Sequence, residues 1–131
     1  MAKFKFRKLV RNKLPGIYKE LDQTIIYQRL IGRELLVALR TKLLEESAEL
    51  PFEEGNRARI IDELGDIEQV MDDIKRELGI SHEEVTESKL RKLGEKGGFS
   101  EGIFVDTIEL EDGDKWNDYY RDEPKKYKEI S

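Results

Sequence analysis

The stretch KLLEESAELPFEEGNRARIIDELGD, Lys42 to Asp66, carries two carboxylate pairs at helical spacing, Glu46 with Glu49 and Glu63 with Asp66. Each pair is three residues apart, so each occupies one helix face about one turn long. Upstream, Leu35, Leu36, Leu39, Leu43 and Leu50 recur at the steps of an amphipathic helix. An advance of about 100° per residue puts Glu46 inside that apolar stripe and Glu49 at its border. Downstream the stripe is Ile60, Leu64, Ile67, Val70, Met71, Ile74 and Leu78, with Glu63 inside it and Asp66 at its edge. Solvated charges belong on the face opposite the leucines, and these four are not there.

Burying unpaired carboxylates costs many kcal/mol, so something must neutralise them. Basic side chains are one remedy: Lys42 stands four residues before Glu46, and Arg59 four before Glu63. A hard divalent cation is the other, and Mg²⁺ takes oxygen ligands, keeps several waters and commonly binds beside substrate phosphates. The polar segment between the acidic pairs is short, which predicts two antiparallel helices with their carboxylates face to face.

The flanking residues set the helix limits. The first long helix is expected from Gly32 or Arg33 to near Leu50, where Pro51 stops it. Asn56 is the expected N-cap of the second, which runs from about Arg57 to Leu78 and ends on Gly79 in a left-handed conformation. Ser81 and Glu84 form a capping-box pattern that opens a third helix reaching about Leu93. Pro15 starts a short helix towards Leu21. Short strands are expected at Lys3–Val10 and Gly102–Leu110, with a short extended piece at Ile25–Tyr27, a hairpin turn at Asp112-Gly113 and a frayed or partner-stabilised tail, RDEPKKYKEIS. The fold class is therefore all-α: an antiparallel helical core with short N- and C-terminal extended segments, in one domain over residues 1–131.

Composition narrows the chemistry. The chain has a net charge of −5 with 40% charged residues of both signs, unlike the basic face that general nucleic-acid binding needs. It has no cysteine, which removes disulfides, thiolate metal sites and cysteine nucleophiles. Its single histidine, His82, removes most zinc and non-haem iron constellations and is expected to be an exposed bystander. No apolar run is long enough to cross a bilayer, and the basic N-terminus lacks the apolar core of a signal peptide, so a cytoplasmic protein is expected. Apolar positions on both sides of a unit of two or three helices predict a homodimer or tetramer. Trp116, Tyr119 and Tyr120 are expected to pack against the body or a partner subunit.

Three blocks of the chain resemble one family. EESAE (Glu45 to Glu49), followed after thirteen residues by ELGD (Glu63 to Asp66), resembles the EExxE…ExxD signature of the all-α nucleoside triphosphate pyrophosphohydrolases. This is the MazG-like and phosphoribosyl-ATP-pyrophosphohydrolase-like superfamily. KLVRNKLP (Lys8 to Pro15) is similar to the KLVRDKIP opening of its house-cleaning branch, and KLGEKGGF (Lys92 to Phe99) to the closing KxxxRGGF block. Asn12 stands where that branch usually has Asp, and Lys96 where it often has Arg. The resemblance spans roughly residues 8 to 105; residues 111–131 are an unassigned C-terminal extension.

The resemblance implies hydrolysis of a nucleoside triphosphate, including non-standard ones, between its α and β phosphates, with Mg²⁺ or Mn²⁺ as cofactor. By position in the motif it makes Glu46, Glu49, Glu63 and Asp66 the metal ligands. Glu45, which projects away from the leucine stripe, would hold a second ion or orient the attacking water. It makes Lys92 and Lys96 the triphosphate contacts, with Arg11 and Lys8 closing the site from the N-terminal side. Two alternatives stand beside it: phosphoribosyl-ATP hydrolysis, and a non-catalytic helical module that keeps its acids as ion-pair partners.

Overall fold

Five helices account for all the regular structure: α1 (Leu14–Glu20), α2 (Gly32–Ala48), α3 (Arg57–Leu78), α4 (His82–Lys96) and α5 (Trp116–Arg121). The computed structural model describes all 131 residues, and no helix is long and apolar enough to cross a membrane. The chain divides into two units, Met1–Lys92 and Leu93–Ser131, with the boundary inside α4.

In the first unit the extensive packing is between α2 and α3. The loop between them is short, and the levels of buried residues run in opposite directions. Glu46 lies against Glu63, and seven residues away on either helix are Leu39 and Val70, the two buried aliphatic side chains. That is the register of an antiparallel hairpin. Its core is thin, since most of the other large apolar side chains are at least partly exposed.

The helix ends follow local chemistry. Asn56 Oδ1 accepts a hydrogen bond from the Arg59 amide at 3.2 Å, satisfying a donor that the first turn leaves orphaned. Gly79 ends α3 at φ 67°, ψ 28°, and the amides of Gly79 and Ile80 return to the carbonyls of Arg76 and Lys75 at 3.2 and 2.9 Å. This Schellman closure needs the left-handed conformation that glycine adopts without a Cβ penalty. The capping box also forms: the Glu84 amide donates to Ser81 Oγ at 3.1 Å, and the Ser81 amide to Glu84 Oε2 at 2.7 Å. α2 stops two residues short of the expected Leu50, because Pro51 disfavours helical backbone in the residue before it. His82 ties the α3–α4 corner together. Lys75 Nζ, which has only donors, gives a hydrogen bond to Nδ1 at 3.2 Å, leaving Nε2 against Thr86 Oγ1 at 3.3 Å.

In the second unit the Gly97 amide returns to the Leu93 carbonyl at 3.0 Å and closes α4. Residues 111–131 build a small structure of their own. Asp114 Oδ1 accepts from the Trp116 amide at 2.8 Å and so opens α5, while Asn117 Nδ2 reaches the Glu111 carbonyl at 2.8 Å. Trp116, Tyr119, Tyr120 and Tyr127 form a cluster with ring centroids 4.9 to 6.5 Å apart. Arg121 closes it by a two-pronged bond to Glu129, at 2.7 and 3.3 Å.

Three sequence expectations are corrected. Lys3–Val10 and Gly102–Leu110 form no strand. Their alternation sorts side chains onto two faces, but a strand also needs a neighbour to pair its backbone groups, and none is supplied. The Asp112-Gly113 turn leads into α5 rather than the second arm of a hairpin. The C-terminal tail is not frayed: it folds back so that Tyr127 and Glu129 meet α5.

Candidate metal centre

The α2–α3 register brings one carboxylate oxygen from each of Glu46, Glu63 and Asp66 within 4.8 Å of the other two. Glu46 is buried at 7% exposure, which is unusual for an acid and follows from its place inside the leucine stripe. Two cations answer part of the charge. Lys42 Nζ lies 3.1 Å from Glu46 and 3.7 Å from Glu45, one helical turn away on α2. Arg11, from the segment before α1, pairs with Asp66 on α3.

Glu63 is the acid left without a cation. Its Oε2 is buried and has no hydrogen-bond partner. The Glu63 pKa is pushed up to about 7, first by a hydrogen bond shared with the Glu46 carboxyl, then by burial and by the charges of Glu46, Glu49 and Asp66. Glu46 moves the other way. Burial raises it, but the hydrogen bond from Glu63, the Lys42 ammonium and the charge of Arg11 together hold it below the usual carboxylate range. Glu46 and Glu63 therefore behave as one pair that retains a proton near neutrality, with the proton on Glu63.

The donor set suits a hard divalent cation. All three groups offer oxygen, two arrive already ion-paired, and the third has a buried oxygen that a cation would satisfy. With Glu63 ionised, three carboxylates set against two cations leave one net negative charge, and exposed Glu49 adds to the field felt by Glu63.

The other sequence candidates are placed differently. Glu49 is exposed at the C-terminal end of α2, outside the close triad. Glu45 is half-buried and held by Lys42. Lys8 sits over the Phe6 ring, 5.5 Å from its centroid. Lys92 and Lys96 are exposed on α4 without an ion-pair partner; Lys92 lines a shallow groove with Ile80, Glu84, Val85, Ser88 and Lys89. Arg59, a candidate partner for Glu63, pairs with Glu54 instead, and that is why Glu63 stays uncompensated. The role of Lys42 as a cation of the centre was signalled by its four-residue spacing to Glu46. Compared with protein-family models, with curated proteins and with solved structures, the chain has no match.

Proposed function

We propose that this chain is a Mg²⁺-dependent nucleoside triphosphate pyrophosphohydrolase of the MazG-like type, releasing pyrophosphate and a nucleoside monophosphate. The observation that carries the proposal is the convergence of Glu46, Glu63 and Asp66, three acids of the EExxE…ExxD pattern, around an uncompensated buried oxygen. These three residues would hold the ion. When bound, Mg²⁺ neutralises phosphate charge and acidifies a water ligand.

The remaining work is positioning and charge neutralisation, which is most of what phosphoryl transfer asks of a protein. Arg11, already at the centre through Asp66, is placed to pass its guanidinium to a phosphate oxygen, a planar fork for a bidentate acceptor. Lys8 and Lys92 carry no acidic partner in the chain and are the proposed further contacts to the triphosphate. Glu45, beside the triad and steadied by Lys42, is the acid left to orient the attacking water. Glu49 completes the acidic field, as an outer ligand or through a water.

The ion pairs Lys42–Glu46 and Arg11–Asp66 favour a second reading, a non-catalytic helical module whose acids are already answered by its own bases. Pyrophosphate release, measured with Mg²⁺ against standard, deoxy, damaged and phosphoribosyl triphosphates, separates the two. Hydrolysis of at least one substrate is expected, falling at least 100-fold in Glu63→Gln and in Glu46→Gln. An undiminished rate in either variant removes the triad from the chemistry. No turnover and no Mg²⁺ binding by the wild type leaves the interaction module.

A further inference from the structure

Charge is distributed unevenly along the chain. Residues 1–31 hold eight lysines and arginines against two acids, while the other 100 residues hold sixteen against twenty-seven. Among the eight, Arg11 alone has an ion pair. The same 31 residues leave many apolar side chains in water. Phe4, Ile26 and Ile31 are 80% to 90% exposed, and Phe6, Leu21 and Tyr27 are 52% to 60% exposed. Bases and apolar groups interleave along the chain, at Lys3-Phe4-Lys5-Phe6-Arg7-Lys8 and again at Ile26-Tyr27-Gln28-Arg29. The first run is tied to α1, where the Phe6 ring stands edge-on to Tyr18 at 6.3 Å. In both runs a cation rides on a ring: Lys8 lies 5.5 Å from the centroid of Phe6, and Arg29 lies 5.6 Å from that of Tyr27.

Interleaved cations and exposed apolar groups make a surface suited to an anionic bilayer. The apolar tips enter the headgroup region, while the bases, on flexible stems, stay level with the phosphates. Each lysine or arginine at such a surface strengthens partitioning about fivefold, so Lys3, Lys5 and Arg7 together supply on the order of 100-fold. The acid-rich remainder of the chain is repelled by the same surface, which turns the basic end inward; that repulsion fades beyond about 8 Å in physiological salt. Two other occupants fit less well. A second copy presenting this face would set like charge against like. Single-stranded nucleic acid would satisfy the bases and stack on Phe4, Phe6 and Tyr27. Leu21, Ile26 and Ile31 have no ring to stack, whereas acyl chains accept them.

We infer that residues 3–31 form a peripheral docking surface for the anionic face of a lipid bilayer, with Phe4 and Ile26 as inserted groups and Lys3, Lys5 and Arg7 as headgroup contacts. None of these five residues belongs to the metal centre or to the proposed triphosphate contacts. The inference therefore stands apart from the proposed hydrolysis, and either can fail alone.

The test is cosedimentation of the full chain with vesicles of phosphatidylcholine alone and of phosphatidylcholine with about a third phosphatidylserine. Helical circular dichroism is the folding control. The wild type is expected to bind the anionic vesicles about 50-fold more tightly than the neutral ones, and to weaken as salt is raised. Lys3→Glu with Lys5→Glu should lower that binding about 20-fold or more. Phe4→Ser with Ile26→Ser leaves the charge unchanged and should lower it about fivefold or more. All four side chains are exposed, so neither variant disturbs the α2–α3 core. Equal binding to the two kinds of vesicle, or none to either, would overturn the inference. Undiminished affinity in either variant would place the contact on other residues and overturn it equally. A single-stranded oligonucleotide is run in parallel. Binding to it that needs the lysines and ignores Phe4 and Ile26, with no binding to vesicles, would overturn the inference in favour of a nucleic-acid partner.

Discussion

Replacing Glu63 by glutamine isolates the acid that has no cation. In the folded chain its carboxyl titrates at about 7, against an ordinary value of 4.5. A pKa raised by folding means that the folded state binds more protons than the unfolded one between those two values. Stability is then fully present below about pH 4.5 and is lost as pH rises through 7. A gap of this size corresponds to about 3 kcal/mol at most, and partial solvent screening brings the expectation to about 2 kcal/mol. Glu46, held below the usual range, contributes in the opposite sense, but its loss falls at lower pH and leaves this window flat. The assay is urea unfolding in chelator at pH 5, 6, 7 and 8. The wild type should lose about 2 kcal/mol across the series. Glu63→Gln, which keeps a hydrogen-bond donor towards Glu46 but cannot ionise, should be nearly level. Mg²⁺ added at pH 8 should recover stability in the wild type and not in the variant. Parallel slopes for the two proteins would refute the assignment of the titrating group to Glu63.

Three further outcomes follow from the same structure. Arg11→Ala removes a positive charge from beside Asp66, so calorimetry should find tighter Mg²⁺ binding, whereas KM for the triphosphate should rise if Arg11 serves the phosphate. Asn56→Ala removes the cap that accepts from the Arg59 amide and should cost about 1 kcal/mol of unfolding free energy, with the pH dependence unchanged. Leu39→Ala opens a cavity at one of the two buried aliphatic positions and should cost about 2 to 4 kcal/mol in chemical denaturation.

The long helices could be read from the sequence because their signals are local. Asn56, Gly79 and the Ser81–Glu84 box each act within five residues, and each sits where the chain alone places it. The angular position of Glu46 and Glu63 was equally legible, since an acid inside a leucine stripe has nowhere to go but the helix–helix contact. What local pattern could not supply was partnership. The alternation in Lys3–Val10 and Gly102–Leu110 looked like strand because nothing in a single segment tells whether a second segment will pair with it. Arg59 had the spacing to reach Glu63 as readily as Lys42 had to reach Glu46, yet it turned to Glu54 on the preceding loop. That choice decides which acid of the centre is uncompensated. The fold-back of Glu129 onto Arg121 was hidden for the same reason: a charged tail looks solvated until its partner is known.

The aromatic cluster around α5 has a practical consequence for watching this protein unfold. Trp116 is the only tryptophan in the chain, and three tyrosine rings stand within energy-transfer range of it. Indole emission therefore reports on the surroundings of α5, while the far-ultraviolet helical signal comes mostly from α2, α3 and α4. Two probes observe two parts of one molecule without any label. Coincident melting curves would mean that the halves unfold as a single cooperative unit; separated curves would time the opening of each.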